Sequence, residues 1–179
     1  MTARRDLGER LCGLLGASAR VEELDGEVTV DVPLEAWLAA LVAARDVLGL
    51  TFFDWLSATD ELDLGFGVVC HLVDPRTADR LLVRTAVPRD RPELPSATGV
   101  YRGADWHERE TTDLFGVVFA GHPRPGPLVL PQGFAGHPLR KEFVLEARTA
   151  RPWPGSVEPG RTTGRPLPRP LGVPPEAGP

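Results

Sequence analysis

The densest run of polar side chains lies at residues 106–113, Trp-His-Glu-Arg-Glu-Thr-Thr-Asp. On a helix, Glu110 and Asp113 share a face, and Arg109 and Asp113 form an i,i+4 pair. Two carboxylates beside His107 are groups that act as general acid, general base or metal ligand. The run lacks a nucleophile, and its spacing is not the His-Glu-x-x-His that sets two imidazoles on one metal. The charges of Glu108, Arg109, Glu110 and Asp113 are therefore read as pairing with one another or with a partner.

His122 and His137 would have to join His107 to make a three-His metal set. Each sits in a Gly-His-Pro triplet. Proline holds the residue before it in extended backbone, and the preceding glycine frees the chain to turn. The preferred reading is a fixed loop corner whose imidazole makes a hydrogen bond. Phosphate-cradling glycine loops, a Gly-x-Ser-x-Gly elbow and a Walker-type lysine are all absent. Lys141, in Arg140-Lys141-Glu142, is the sole lysine. Cys12 and Cys70 are too few to hold an iron–sulfur cluster or a structural zinc unaided, and are read as reduced thiols.

The elements that must position these groups follow from periodicity. Arg4–Leu15 places leucines on one helical face, with Gly16 as the stop. Val28, Val30 and Val32 alternate as in a half-buried strand. Pro33 reads as a first helical residue, followed by Leu34, Trp37, Leu38, Leu41, Val42 and Leu48 at helical spacing up to Gly49. Leu50–Ala58 reads as a strand, Asp60–Gly65 as a polar turn, and Phe66–Val73 and Arg80–Val87 as an antiparallel hairpin. Pro88–Pro95 reads as a loop. Asp105 reads as an N-cap with Glu108 as its capping-box partner, opening a helix Trp106–Phe115 that Gly116 closes. With one helix between the strands, the expected class is α+β: an antiparallel or mixed sheet with helices on one face.

Composition divides the chain. It has 179 residues, 19 Gly and 19 Pro, and a formal charge of −5, so no nucleic-acid footprint is expected. Residues 151–179 alone hold nine Pro, five Gly and four Arg, too little apolar side chain to offset ordering entropy. Three parts are expected: an α+β domain over 1–118, a loop-rich interface segment over 119–147, and an extended tail over 148–179. Met1–Arg10 is charged throughout, so no secretory leader is expected, and no run approaches a membrane span.

Two blocks carry a resemblance. One is Glu108-Arg109-Glu110, Asp113-Leu114-Phe115-Gly116 and Gly121-His122-Pro123. The other is Gly136-His137-Pro138-Leu139-Arg140-Lys141. Together with Phe53–Asp60 and Leu81–Pro95, they resemble the C subunit of the bacterial proton-pumping NADH:quinone oxidoreductase, respiratory complex I, over about residues 30–145. The pattern departs at Arg124-Pro125-Gly126-Pro127, where that family usually has Asp-Leu-Arg-Arg, and at Glu142-Phe143, where it has Asp and Tyr.

The resemblance implies a hydrophilic peripheral-arm subunit without flavin, cluster or haem of its own. NADH, FMN, iron–sulfur clusters and quinone would belong to the assembled complex. Its partners would be the large quinone-cavity subunit and neighbouring iron–sulfur subunits, on the cytoplasmic side of the cell membrane. Glu108, Arg109, Glu110, Asp113, His122, His137, Arg140 and Lys141 become interface candidates. Two other readings stay open: the equivalent subunit of a membrane-bound nickel–iron hydrogenase or related dehydrogenase, and a stand-alone metal-dependent hydrolase using His107, Glu108 and Glu110.

Overall fold

The two β-branched runs pair along their whole length. In the computed structural model, which describes residues 3–144, β4 (Phe66–Val73) and β5 (Arg80–Val87) are antiparallel, from Phe66 opposite Val87 to Val73 opposite Arg80. Strict alternation sends Val68, Cys70 and Leu72, with Leu81, Val83 and Val87, into the core. The Asp74 carboxylate accepts the Arg76 amide and guanidinium and so fixes the turn between them.

Three more strands complete the sheet. β1 (Arg20–Leu24) and β2 (Glu27–Asp31) form a hairpin, and β2 lies parallel to β5. β3 (Phe52–Asp60) pairs antiparallel with β4. The order is β1-β2-β5-β4-β3, a mixed sheet as the α+β expectation requires. Helix α1 (Ala3–Leu15) buries Leu7 and Leu11, and Gly8 lets it approach closely: a Cβ there would meet Val28 at 2.9 Å. Helix α2 (Trp37–Asp46) buries Trp37, Ala40, Leu41 and Ala44. Each fully buried Leu, Phe or Trp side chain contributes about 1.5–3 kcal/mol of transfer free energy.

Several expectations are corrected. Arg20–Leu24 is a strand that periodicity does not reveal; it is an edge with two glutamates and no apolar alternation. Pro33 has ψ 151°, outside the helix, and precedes a 3-10 turn at Leu34–Ala36. Val42 falls off the buried stripe of α2. β3 runs on to Asp60, and a 3-10 turn at Leu62–Leu64 fills the polar turn. The expected loop Pro88–Pro95 ends in β6 (Glu93–Pro95), which pairs in parallel with β7 (Val118–Ala120). Between them lies helix α3 (Ala104–Phe115), packed against β3. The expected tail 148–179 and residues 145–147 lie outside the described residues. Among the described residues, no helix is long and apolar enough to cross a membrane.

Candidate functional site

Helix α3 carries the polar run, and its N-terminus has no side-chain cap. The amides of Ala104 and Asp105 are satisfied by the carbonyls of Tyr101 and Arg102, at 3.1 and 3.4 Å. Asp105 is therefore not the N-cap; that position is Gly103, and Asp105 lies in the first turn. Its carboxylate faces the Arg124 guanidinium, which holds it below the ordinary aspartate range. Glu108 does not reach back to its own helix either. Fully buried, it accepts the Ala97 amide and the Ser96 hydroxyl, both at 2.6 Å, and so ties α3 to the 3-10 turn Ala97–Gly99. Burial raises its pKa against these hydrogen bonds, which pull it down.

His122 lies over the same end. Its Nδ1 accepts the Arg124 amide at 3.1 Å, so Nε2 carries the proton and donates to the Asp105 carbonyl at 3.1 Å. This is the loop corner expected of the first Gly-His-Pro triplet. Ser96 has no base. Its hydroxyl donates to Glu108 and accepts the Thr98 amide, so a Ser-His nucleophile is not assembled.

The middle of α3 holds the following loop. Arg109 and Asp113 do not bond each other, contrary to the i,i+4 expectation. Arg109 donates to the Gly126 and Pro127 carbonyls at 3.0 and 2.8 Å. Asp113 Oδ2 accepts the amides of Leu128, Val129 and Leu130 at 2.8, 2.8 and 3.1 Å. Burial pushes the Asp113 pKa up, but the three amides outweigh it and hold the carboxyl low. The departing Pro125-Gly126-Pro127 stretch thus presents its carbonyls to Arg109.

The second block closes the helix. Gly116 adopts φ 74°, and a Cβ there would run into His137 and Arg140. Three carbonyls at the helix end receive three donors: His137 Nδ1 to Asp113 at 2.8 Å, the Leu139 amide to Leu114 at 3.0 Å, and Arg140 Nε to Phe115 at 2.6 Å. A cation at a helix C-terminus also suits the macrodipole. The Arg140 and Arg89 guanidinium carbons lie 5.1 and 4.8 Å from the Phe66 ring centroid. Lys141 contributes its amide, which donates to the buried Asp60 at 2.8 Å. Burial raises the Asp60 pKa, but the Lys141 and Leu62 amides and the Arg89 guanidinium outweigh it and hold the carboxyl low.

Sequence reasoning missed Asp60, Arg89 and Ser96 as members of this cluster. Asp60 ends β3 some 80 residues before its partner, and no local pattern links the two. Glu110 stands apart. It is half-buried and has no hydrogen bond or ion pair among the described residues. With Trp106, His107, Leu128 and Val129 it lines a cleft of about 370 Å³. Among the described residues, no group of three or more His, Cys, Asp or Glu is placed to hold a metal ion.

Known proteins are similar to this chain. Residues 30–149 match the family described as "Respiratory-chain NADH dehydrogenase, 30 Kd subunit". A relative in Rhizobium rhizogenes, named as the C subunit of NADH-quinone oxidoreductase, is 38% identical over 150 residues, covering 79% of this chain and 72% of that one. One of the same name in Acidithiobacillus ferrooxidans is 37% identical over 154 residues, covering 80% and 76%. Among solved structures, a trypsin-resistant fragment of Nqo5 matches with TM-score 0.57 and 31% identity, over 69% of this chain and 99% of that one. A chain of an archaeal membrane-bound sulfane sulfur reductase matches with TM-score 0.62 and 22% identity, over 78% and 85%, a likeness of fold alone. With both motif blocks inside the matched span, the chain belongs to the family of the 30 kDa subunit of respiratory-chain NADH dehydrogenase.

Proposed function

We propose that the chain is the cofactor-free C subunit in the peripheral arm of a proton-pumping NADH-quinone oxidoreductase. It scaffolds the quinone-cavity subunit and its iron–sulfur neighbours. Turnover belongs to the assembly, where NADH, FMN, iron–sulfur clusters and quinone are held by other chains, on the cytoplasmic side of the bacterial membrane. The observation that carries this reading is the 38% identity to a relative of that name over 79% of the chain. The use of the polar residues supports it. Glu108, Arg109, Asp113, His122, His137 and Arg140 each hold a backbone segment of the chain itself. Groups so engaged brace a surface and are not poised to transfer protons.

The test is a gentle pull-down of the tagged full chain from solubilised membranes. Co-purification of a flavin-bearing NADH-oxidising subunit with iron–sulfur subunits is the expected result. Co-purification of a nickel–iron hydrogenase large subunit, or of no partner, contradicts it.

A further inference from the structure

We propose that the cleft formed by Trp106, Glu110, Leu128 and Val129 takes the side chain of an arginine from a neighbouring protein chain. This deepens the reading above and rests on it, since it assumes that the chain is one subunit of an assembly.

The outer face of α3 carries the argument. Trp106 and Glu110 are one helical turn apart and share a stripe. Trp106 is 64% exposed and Val129 53%, unusual for an indole and an aliphatic side chain set beside each other. Every other charged residue of the helix is engaged within the chain: Asp105 with Arg124, Glu108 with Ser96 and Ala97, Arg109 with two carbonyls and Asp113 with three amides. Glu110 alone among them has no partner among the described residues.

The chemistry selects the occupant. A carboxylate beside an indole, with two aliphatic walls and a His107 ring already packed against Phe53, matches a guanidinium fork on the carboxylate, its plane against the indole and its methylene stem along the walls. Lysine offers a strongly hydrated point charge that stacks less well. A hard divalent cation takes six or more oxygens and a zinc ion three or four protein ligands, and the cleft offers one carboxylate and one imidazole. The walls are also pre-set. Asp113 pins the amides of Leu128 and Val129, so little ordering remains to be done on binding.

The experiment places a photo-cross-linking amino acid at Val129 of the full chain, in membranes where the complex assembles. The expected result is a cross-link to an arginine-containing peptide of a different subunit, lost in Glu110→Gln. Glu110→Gln should also lower retention of that subunit about tenfold, equivalent to about 1.4 kcal/mol. Glu110→Asp should recover part of it, and Glu35→Gln, at an exposed position, should change nothing. Because Glu110 makes no internal bond, Glu110→Gln should keep the wild-type unfolding midpoint. Cross-links to residues 145–179 of this chain, to a second copy, to a peptide with lysine but no arginine, or to no chain overturn the inference, as does full retention of the neighbour by Glu110→Gln. If the wild-type chain retains the NADH-oxidising subunits in those cases, the functional reading survives; if it retains none, that reading fails first.

Discussion

Residues 20–87 and residues 93–143 are stabilised by different means. In the first region, backbone ladders across five strands satisfy the amides and carbonyls, and alternating aliphatic side chains fill the core. In the second, Leu94, Phe115 and Phe119 join the same core, but the ladder is two three-residue strands, and single side chains hold the corners and the loops that follow α3. Glu108 serves the Ser96–Ala97 corner, Asp113 serves three consecutive amides, and His137 and Arg140 serve the carbonyls that end α3. A substitution in the sheet leaves a cavity whose cost spreads through one cooperative unit. A substitution in the second region releases a named segment.

The comparison can be broken most forcefully at Glu108. Glu108→Ala leaves the buried Ala97 amide without an acceptor and the Ser96 hydroxyl with Thr98 Oγ1 alone, and should lower stability by about 3 kcal/mol. The midpoint of urea unfolding at unchanged slope is the check, and a loss below about 1 kcal/mol would contradict the picture. Asp113→Asn comes next, at about 1–2 kcal/mol, because the amide oxygen still accepts but without charge. Its effect should concentrate at Leu128–Leu130, which limited proteolysis would report as faster cleavage there.

Acid should act through groups of opposite sign. Asp60 and Asp113 are held below the ordinary aspartate range, so their stabilisation is present above it and lost as pH falls through the folded values. Glu108 is held above its ordinary 4.5, so the folded chain binds its proton more tightly. Its effect is to lower stability as pH rises through the interval between the two values. Unfolding midpoints against pH should therefore show a steeper acid limb in Glu108→Gln than in Asp113→Asn. Smallest of all should be Arg124→Ala. The guanidinium is 68% exposed and water screens its pairing with Asp105, so the midpoint should move within measurement scatter and less still in high salt.

Legibility in the sequence followed the same division. The bounds of β4 and β5 could be read directly, because Phe66–Val73 and Arg80–Val87 are apolar, β-branched runs and a polar turn with Pro75 separates them. α3 and its glycine stop were equally plain. β1 was hidden because an exposed edge strand keeps its charges. β6 and β7 were hidden because three-residue strands exist only through each other. Asp105 and Glu108 have capping-box spacing, yet both turn to loops distant in sequence; local rules describe what a side chain is able to do, and packing decides which partner it meets. The Gly-His-Pro-Leu-Arg block adds donors to the end of α3 that nothing around residues 136–140 announces, since the helix they reach ends at Phe115.

The central claim, that the loops following α3 over residues 121–143 are held by single side chains bound to backbone, is tested most directly by amide hydrogen exchange of the full chain with and without Asp113→Ala. The amides of Leu128, Val129 and Leu130 should exchange at least about tenfold faster in the variant, while those of Val68–Leu72 in β4 stay as in the wild type. Unchanged exchange at Leu128–Leu130, or an equal acceleration in β4, would contradict it.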